Sequence, residues 1–472
     1  MVLKFGGAAL RDVDGVQRAA GLVRRFGGER PVVVVSALEG VTRELRRALR
    51  EPREADAVWA RLRVRHRSVL SGLGLSGDLL DRLLFDLRAV LGGLEEGAKP
   101  GDARLFDFVL SFGERMSARV VAAALSAGGM AAIPVDAYDA GVVLSGPGAL
   151  FPPRTLKARV HRALVGGPAI PVVTGFVALD EAGHVATLGS NGSDLSAVWI
   201  GAALEADEVQ LWKCVPGILR ADPRLVPGAG LVTTISRAHA TELARHGADV
   251  LHPAALAPLE GLERELVVSL RDVRAPEAAG TRVVAGPTGP REVEGPLAIA
   301  HREDVLAIEV DGSRGPWLEQ PDREPGTAGT DAQGLLPVAA MLERFAGAGV
   351  ECLGCQVGPK RLRALVVAEG EAAAALADLL PEALRRRARV RGELACVTLV
   401  GQPEARAGRL ADLLLASARD LDPEAEPWHD GGLLRVLLRC ERAADLVCSL
   451  HAELFRADRL ERSEPGGRIS AG

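Results

Sequence analysis

The chain has 472 residues, of which 48% are apolar, with a formal net charge of −5, enough for two to four domains of ordinary size, each with its own core. The acidic balance leaves no basic footprint for a phosphate backbone, and no apolar run reaches the roughly 18 residues a membrane span requires, so neither nucleic acid nor membrane is an expected partner and a cytoplasmic setting is expected. Of the 57 basic residues only five are lysines, Lys4, Lys99, Lys157, Lys213 and Lys360, so a lysine inside a motif marks a place for a compact point charge that a guanidinium fork does not fit.

Val2 to Phe5 and Pro31 to Val35 read as short buried strands, each entering a Gly- or Ser-bearing turn and then a helical pattern, the rhythm of an α/β sheet. From Val41 to Gly129 the pattern is helical, with turn signals at Gly72 to Gly77 and at Pro100-Gly101. Strand-like runs return at Ala131 to Val135, Ala169 to Val173, Val209 to Trp212 and Glu265 to Leu270. Residues 1–285 therefore predict a three-layer α/β domain with a mostly parallel sheet. A Pro/Gly-rich linker at 286–297 follows. Beyond it a β-α-β-β-α-β pattern occurs twice, predicting two ferredoxin-like α+β modules at residues 298–385 and 386–472. Gly312 to Gly334, rich in Pro, Gly, Asp and Glu, is expected to be a loop or a disordered insert.

The chemistry is expected where predicted strands end, because open α/β sheets place ligands there. Lys4-Phe5-Gly6-Gly7 combines a cation with glycines that admit phosphate oxygens to backbone N–H groups. Ser36 to Thr42 and Ser111-Phe112-Gly113-Glu114-Arg115 offer hydroxyls and a carboxylate to an amino acid; equally, Ser36 and Ser111 read as helix caps and Glu114 as a solvated first-turn residue. Thr174-Gly175-Phe176 and Thr187 to Asp194 are glycine-rich and open a helix expected at Leu195 to Leu204, an anion site by geometry, with Ser193 or Asp194 as the alternative cap. Trp212-Lys213-Cys214 through Arg224, and His246 to Pro253, complete the series. The six cysteines are expected to be thiols, and Cys352-Leu-Gly-Cys355 lacks a second pair for a metal.

In this order and spacing the loops resemble the aspartokinase family across the first 285 residues, and the two C-terminal modules resemble its paired ACT domains. The resemblance implies transfer of the γ-phosphoryl group of ATP to L-aspartate, with Mg²⁺ accompanying the nucleotide and no protein-held metal. It implies Lys4 and Asp194 as catalytic residues. It assigns nucleotide contacts to Lys4, Gly6, Gly7, Gly189, Gly192, Ser193, Lys213, Cys214, Leu219, Asp222, Arg224, Asp249 and Val250, and aspartate contacts to Ser36, Thr42, Glu114, Ser190 and Asp194. A homodimer joined through the C-terminal modules and a small amino-acid effector are also implied.

Several positions depart from the family pattern. Ala8-Ala9 stands where the family has Thr-Ser, Ser190 where it has an Arg expected to hold the substrate carboxylate, and Asn191 where it has Gly. Lys213-Cys214 replaces Thr-Asp, Leu219 replaces Tyr, and Asp249 replaces a Lys expected on the phosphates. These changes leave two other readings open: a kinase-fold subunit that binds without catalysing, and a kinase for a different acid.

Overall fold

Parallel strands covered on both faces read as unbroken apolar runs, and Val2–Phe5 (β1) and Val32–Val35 (β2) are buried at every position. The computed structural model describes residues 1–95, 103–146, 149–189, 191–247, 250–286, 296–311, 336–357, 361–368, 370–401, 406–430 and 433–455. The expected insert at Gly312 to Gly334 and most of the 286–297 linker lie outside these residues. The chain divides into two units, one of Met1–Ile218, Leu231–Ala244 and Asp249–Thr288, the other of Leu219–Gly230, Arg245–Ala248 and Gly289–Gly472.

In the first unit β1 and β2 are joined by Ala132–Val135 (β3), Ile170–Thr174 (β6), Glu208–Lys213 (β9), Thr234–Ser236 (β10), Val267–Asp272 (β11) and Thr281–Val284 (β12). Two hairpins stand apart, Leu144–Gly146 with Ala149–Leu150 (β4, β5) and Val177–Leu179 with Val185–Thr187 (β7, β8). The eight-stranded sheet has the order β10-β12-β11-β9-β1-β2-β6-β3. Its pairings are parallel except β11 with β12. The helices are Val13–Phe26 (α1), Val41–Arg50 (α2), Ala55–Gly72 (α3), Asp81–Glu95 (α4), Ala103–Ala127 (α5), Pro153–Leu164 (α6), Gly192–Ala203 (α7) and Arg237–Arg245 (α8). Every residue of α7 is buried, as its run of small and apolar side chains demands. None of the described helices is long and apolar enough to cross a membrane.

The second unit is built on Ala298–Asp311 (β13), Glu351–Val357 (β14), Arg361–Val367 (β15), Ala388–Val400 (β16), Glu426–Asp430 (β17) and Leu433–Arg439 (β18), in the order β14-β15-β13-β16-β18-β17, with all neighbours antiparallel. The two long central strands each serve both halves. Ala298 to Arg302 pair with Cys396 to Val400, whereas Val305 to Val310 lie between β15 and the first half of β16. Asp304 (φ 60°) and Glu393 (φ 57°) mark the two changeovers in left-handed backbone. A division at residue 386 therefore cuts across an exchange of half-strands, since β16 begins in the first half and β13 in the second. Period-2 alternation fills both faces: Ile308 and Val310 pack with Met341 and Phe345, while Val305 and Ala307 pack with Leu365, Cys396 and Trp428.

Candidate active site

Strand β1 lies between β2 and β9, with the chain continuing outward on either side, so the carboxyl ends of these strands form the crevice where open sheets bind ligands. Lys4, in register with Val34 and Leu211, is the penultimate residue of β1, and Lys213 ends β9. Helix α7 packs on β1, β2 and β9, which carries Asp194, in its first turn, to the same end of the sheet. It begins at Gly192, earlier than the expected Leu195, and neither Ser193 nor Asp194 is its cap; Asn191 holds that position at φ 55°. Asn tolerates left-handed backbone better than other residues with a side chain, which accounts for it where the family pattern has Gly.

Two of the chain's five lysines converge on this one carboxylate. The Lys4 ammonium is 2.6 Å from Asp194 Oδ1, and that of Lys213 is 2.7 Å from Oδ2 while also donating to the Val250 carbonyl. The side chains of Asp194, Lys4 and Lys213 are 1%, 6% and 17% exposed, so the cluster carries a surplus positive charge out of bulk water. Burial alone would raise the Asp194 carboxyl, but the two lysines outweigh it and hold the group at about 2. Burial lowers the Lys4 ammonium, and Asp194 offsets part of that shift.

The other half of the site is Glu114. The stretch 111–115 is not a loop at a strand end but the middle of α5, where Val109, Phe112, Met116 and Val120 recur at helical spacing and are buried. Ser111 is accordingly no cap; its hydroxyl donates to the Phe108 carbonyl at 2.7 Å. Nor is Glu114 solvated, being 3% exposed. Its Oε1 accepts the Ala37 N–H at 3.0 Å, and its Oε2 is buried with no hydrogen-bond partner. Burial pushes the carboxyl up to about 7 against the opposing pull of that N–H and of Lys4. Ser36 and Ser193 join their hydroxyls at 2.8 Å, tying the end of β2 to the start of α7. Gly175 permits this approach, since a Cβ there would sit 2.6 Å from Ser193 Cβ.

The Gly6 N–H donates to Trp212 O at 3.3 Å, and Gly7 faces the Ala37 carbonyl. Gly189 and Gly192 flank the entry to α7, and Thr42 is the second residue of α2. Cys214 follows Lys213, its carbonyl taken by Arg274. Leu219, Asp222 and Arg224 belong to the second unit. There Asp222 accepts the backbone N–H of Arg224 at 2.8 Å and pairs with its guanidinium at 2.6 Å, which holds its carboxyl below the usual range. Ser190 and Asp249 lie outside the described residues. Sequence reasoning gave no role to Ala37, whose N–H fixes Glu114; a small residue following Ser36 was the available signal.

Residues 1–269 match the model of the amino acid kinase family. The chain belongs to the amino acid kinase family. Among its relatives, aspartokinase 2 (chloroplastic) of Arabidopsis thaliana is 33% identical over 59% of this chain and 53% of its own length. The bifunctional aspartokinase/homoserine dehydrogenase 2 of Escherichia coli (strain K12) is 30% identical over 97% of this chain and 55% of its own. This amino acid kinase chain thus spans about half the length of these curated relatives. Its fold is shared by Escherichia coli aspartokinase III in complex with aspartate and ADP, at a TM-score of 0.77 and 23% identity, covering 96% of this chain and 99% of that one. Clostridium acetobutylicum aspartate kinase follows at a TM-score of 0.71 and 18% identity, with the same coverage.

Proposed function

We propose that this chain is an aspartate kinase, transferring the γ-phosphoryl group of ATP to the side-chain carboxylate of L-aspartate and yielding 4-phospho-L-aspartate and ADP. The observation that carries the reading is the buried Lys4–Asp194–Lys213 cluster, a surplus of positive charge at a helix N-terminus within electrostatic reach of the buried carboxylate Glu114. The relatives' aspartokinase names support the same chemistry.

In the reaction a carboxylate oxygen of the acceptor attacks Pγ in line, the bond from Pγ to the β,γ-bridging oxygen breaks, and its electron pair leaves on ADP, with no proton transferred and no protein nucleophile needed. Lys4 and Lys213 would neutralise the phosphate oxygens, with Asp194 spacing the two ammoniums. Glu114, ionised, would receive the amino group of the acceptor on its unpartnered Oε2, with Thr42 and Ser36 alongside, and so orient the attacking carboxylate. Gly6, Gly7, Gly189, Gly192 and Ser193 would admit the phosphates to backbone N–H groups. Magnesium would be carried in on the phosphates of the nucleotide, since both oxygens of Asp194 are engaged by Lys4 and Lys213. When bound, the ion would neutralise phosphate charge.

Incubating the protein with ATP, Mg²⁺, aspartate and hydroxylamine traps an acyl phosphate as the hydroxamate. A rate no faster than a protein-free blank would exclude the aspartate reading. Ser190 in place of the family's arginine favours one second reading, a kinase for another acid, which a hydroxamate formed from glutamate or a simple dicarboxylate in place of aspartate would support.

We further propose a homodimer joined through the second unit and a small amino-acid effector bound there. Leu342, Val357 and Val390 remain 37%, 46% and 43% exposed on that unit, apolar surface that a two-fold partner would cover.

A further inference from the structure

The turn that follows β2 has two ends. At Ala37 its backbone N–H fixes Glu114. At Gly40 it becomes the N-cap of α2, in left-handed backbone at φ 81° and with no side chain to cap the helix. Gly7 packs on the same turn, where a Cβ would stand 3.7 Å from Glu39 Cα. The bare side of Gly40 is a meeting place of two arginines. A Cβ there would lie 3.4 Å from Arg43 Nη2 and 3.5 Å from Arg65 Nη1, so guanidinium groups from α2 and α3 reach one point at the entry to α2.

No carboxylate of the chain accounts for this meeting. Arg65 donates from its other terminal nitrogen to the Arg11 carbonyl at 3.2 Å, and neither Arg43 nor Arg65 forms an ion pair among the described residues. Glu39, next to Gly40 in sequence, reaches Arg11 at 3.7 Å, and Glu44 is taken by Arg61 at 2.7 Å. Arg43 is also the third residue of α2, at the helix end that disfavours a cation. Two like charges gathered there repel each other. An anion at the point they share relieves both costs, being attracted by the guanidinium groups and by the helix N-terminus.

Resting on the acceptor reading above, we propose that Arg43 and Arg65 form a carboxylate subsite at Gly40, which takes the acceptor's second carboxylate, the one that is not phosphorylated, and so determines which acids are accepted. A guanidinium fork matches the two oxygens of a carboxylate. Thr42, placed alongside the acceptor, lies between Gly40 and Arg43 in the chain, so one turn receives the ammonium group near Ala37 and the carboxylate at Gly40. Glycine at position 40 leaves the room, since any side chain there would meet both guanidinium groups. The competing roles are a contact to the nucleotide's phosphates and packing without a ligand.

The test is calorimetric titration of the full chain, in the presence of ADP, with L-aspartate and with its α-amide, in which the second carboxylate is neutral. The proteins are wild type, Arg43→Met, Arg65→Met and the double variant. The wild type is expected to prefer aspartate by about tenfold to a hundredfold, the size of a charged hydrogen bond. Each single variant loses part of that preference and the double variant all of it, through weaker aspartate binding with α-amide binding unchanged. ADP affinity, measured separately, stays at the wild-type level, which also reports that each variant is folded. A preference absent from the wild type, or kept in the double variant, overturns the proposal. So does an equal loss for both ligands, the mark of a structural role, or a loss of ADP affinity, the mark of a phosphate contact. Glutamate and succinate are titrated alongside. If the wild type binds one of them and not aspartate, the aspartate reading falls, and the subsite stands or falls with the loss or survival of that binding in the double variant. A wild type that binds none of these acids removes both.

Discussion

Titrating the protein around neutrality perturbs the acceptor half of the site at one group. Glu114 is 3% exposed and held at about 7 by burial, so in the unliganded protein its carboxylate changes from roughly one-tenth ionised at about pH 6 to roughly nine-tenths at about pH 8. If the ionised form receives the acceptor's ammonium, kcat/KM for the amino acid follows that fraction, because this constant reports the free enzyme's groups. An increase of about tenfold is expected over the interval, expressed mainly in KM. The same ionisation acts on stability with a fixed sign. The folded-state value stands above the ordinary 4.5, so between the two values the folded chain keeps a proton that the unfolded chain has released. Stability therefore falls as pH rises through that window, by about 3 kcal/mol in total. Glu114→Gln should remove both effects, raising KM, flattening the pH profile of kcat/KM and flattening the stability curve over the same range. Initial rates of ADP release across the interval, with thermal unfolding of both proteins, make the check. A flat kcat/KM profile in the wild type, or an equal slope in Glu114→Gln, refutes the assignment.

Asp194→Asn leaves two buried ammoniums without their counter-charge and should cost about 3 to 5 kcal/mol, read by thermal unfolding, together with the loss of ADP release. In the wild type the carboxyl is held at about 2, below its ordinary 3.8, so its stabilising contribution is present above the ordinary value and disappears as pH falls through the lower one. Gly113→Ala puts a Cβ 2.8 Å from that of Ala37, pushing α5 against the turn that fixes Glu114; about 1 to 3 kcal/mol of stability should be lost, with a raised KM for the amino acid. Light scattering should show twice the mass of the 472-residue chain, and a concentration-independent monomer would remove the dimer.

How far the sequence reached depended on whether a feature is local. The run Val32–Val35 identified a buried parallel strand by itself, because a strand covered on both faces has no polar side to show, and Val2–Phe5 reads the same way apart from Lys4. The order of glycine-bearing loops after such runs resembles the aspartokinase pattern, and that resemblance is what singled out Lys4, Glu114 and Asp194. What the stretch 111–115 does was not legible, since Ser, Gly and Glu suit a strand-end loop or a capped helix, and only the packing of α5 against the turn at Ala37 selects its middle and buries Glu114 there. The meeting of Lys4, Asp194 and Lys213 was likewise decided by tertiary structure. Lys4 is far from Asp194 and Lys213 along the chain and meets them because β1 pairs with β9 while α7 lies across both. Lys213 looks in isolation like any lysine at a strand end. The half-strand exchange at Asp304 and Glu393 has the same cause: which partner a strand takes is set by the whole sheet that forms around it.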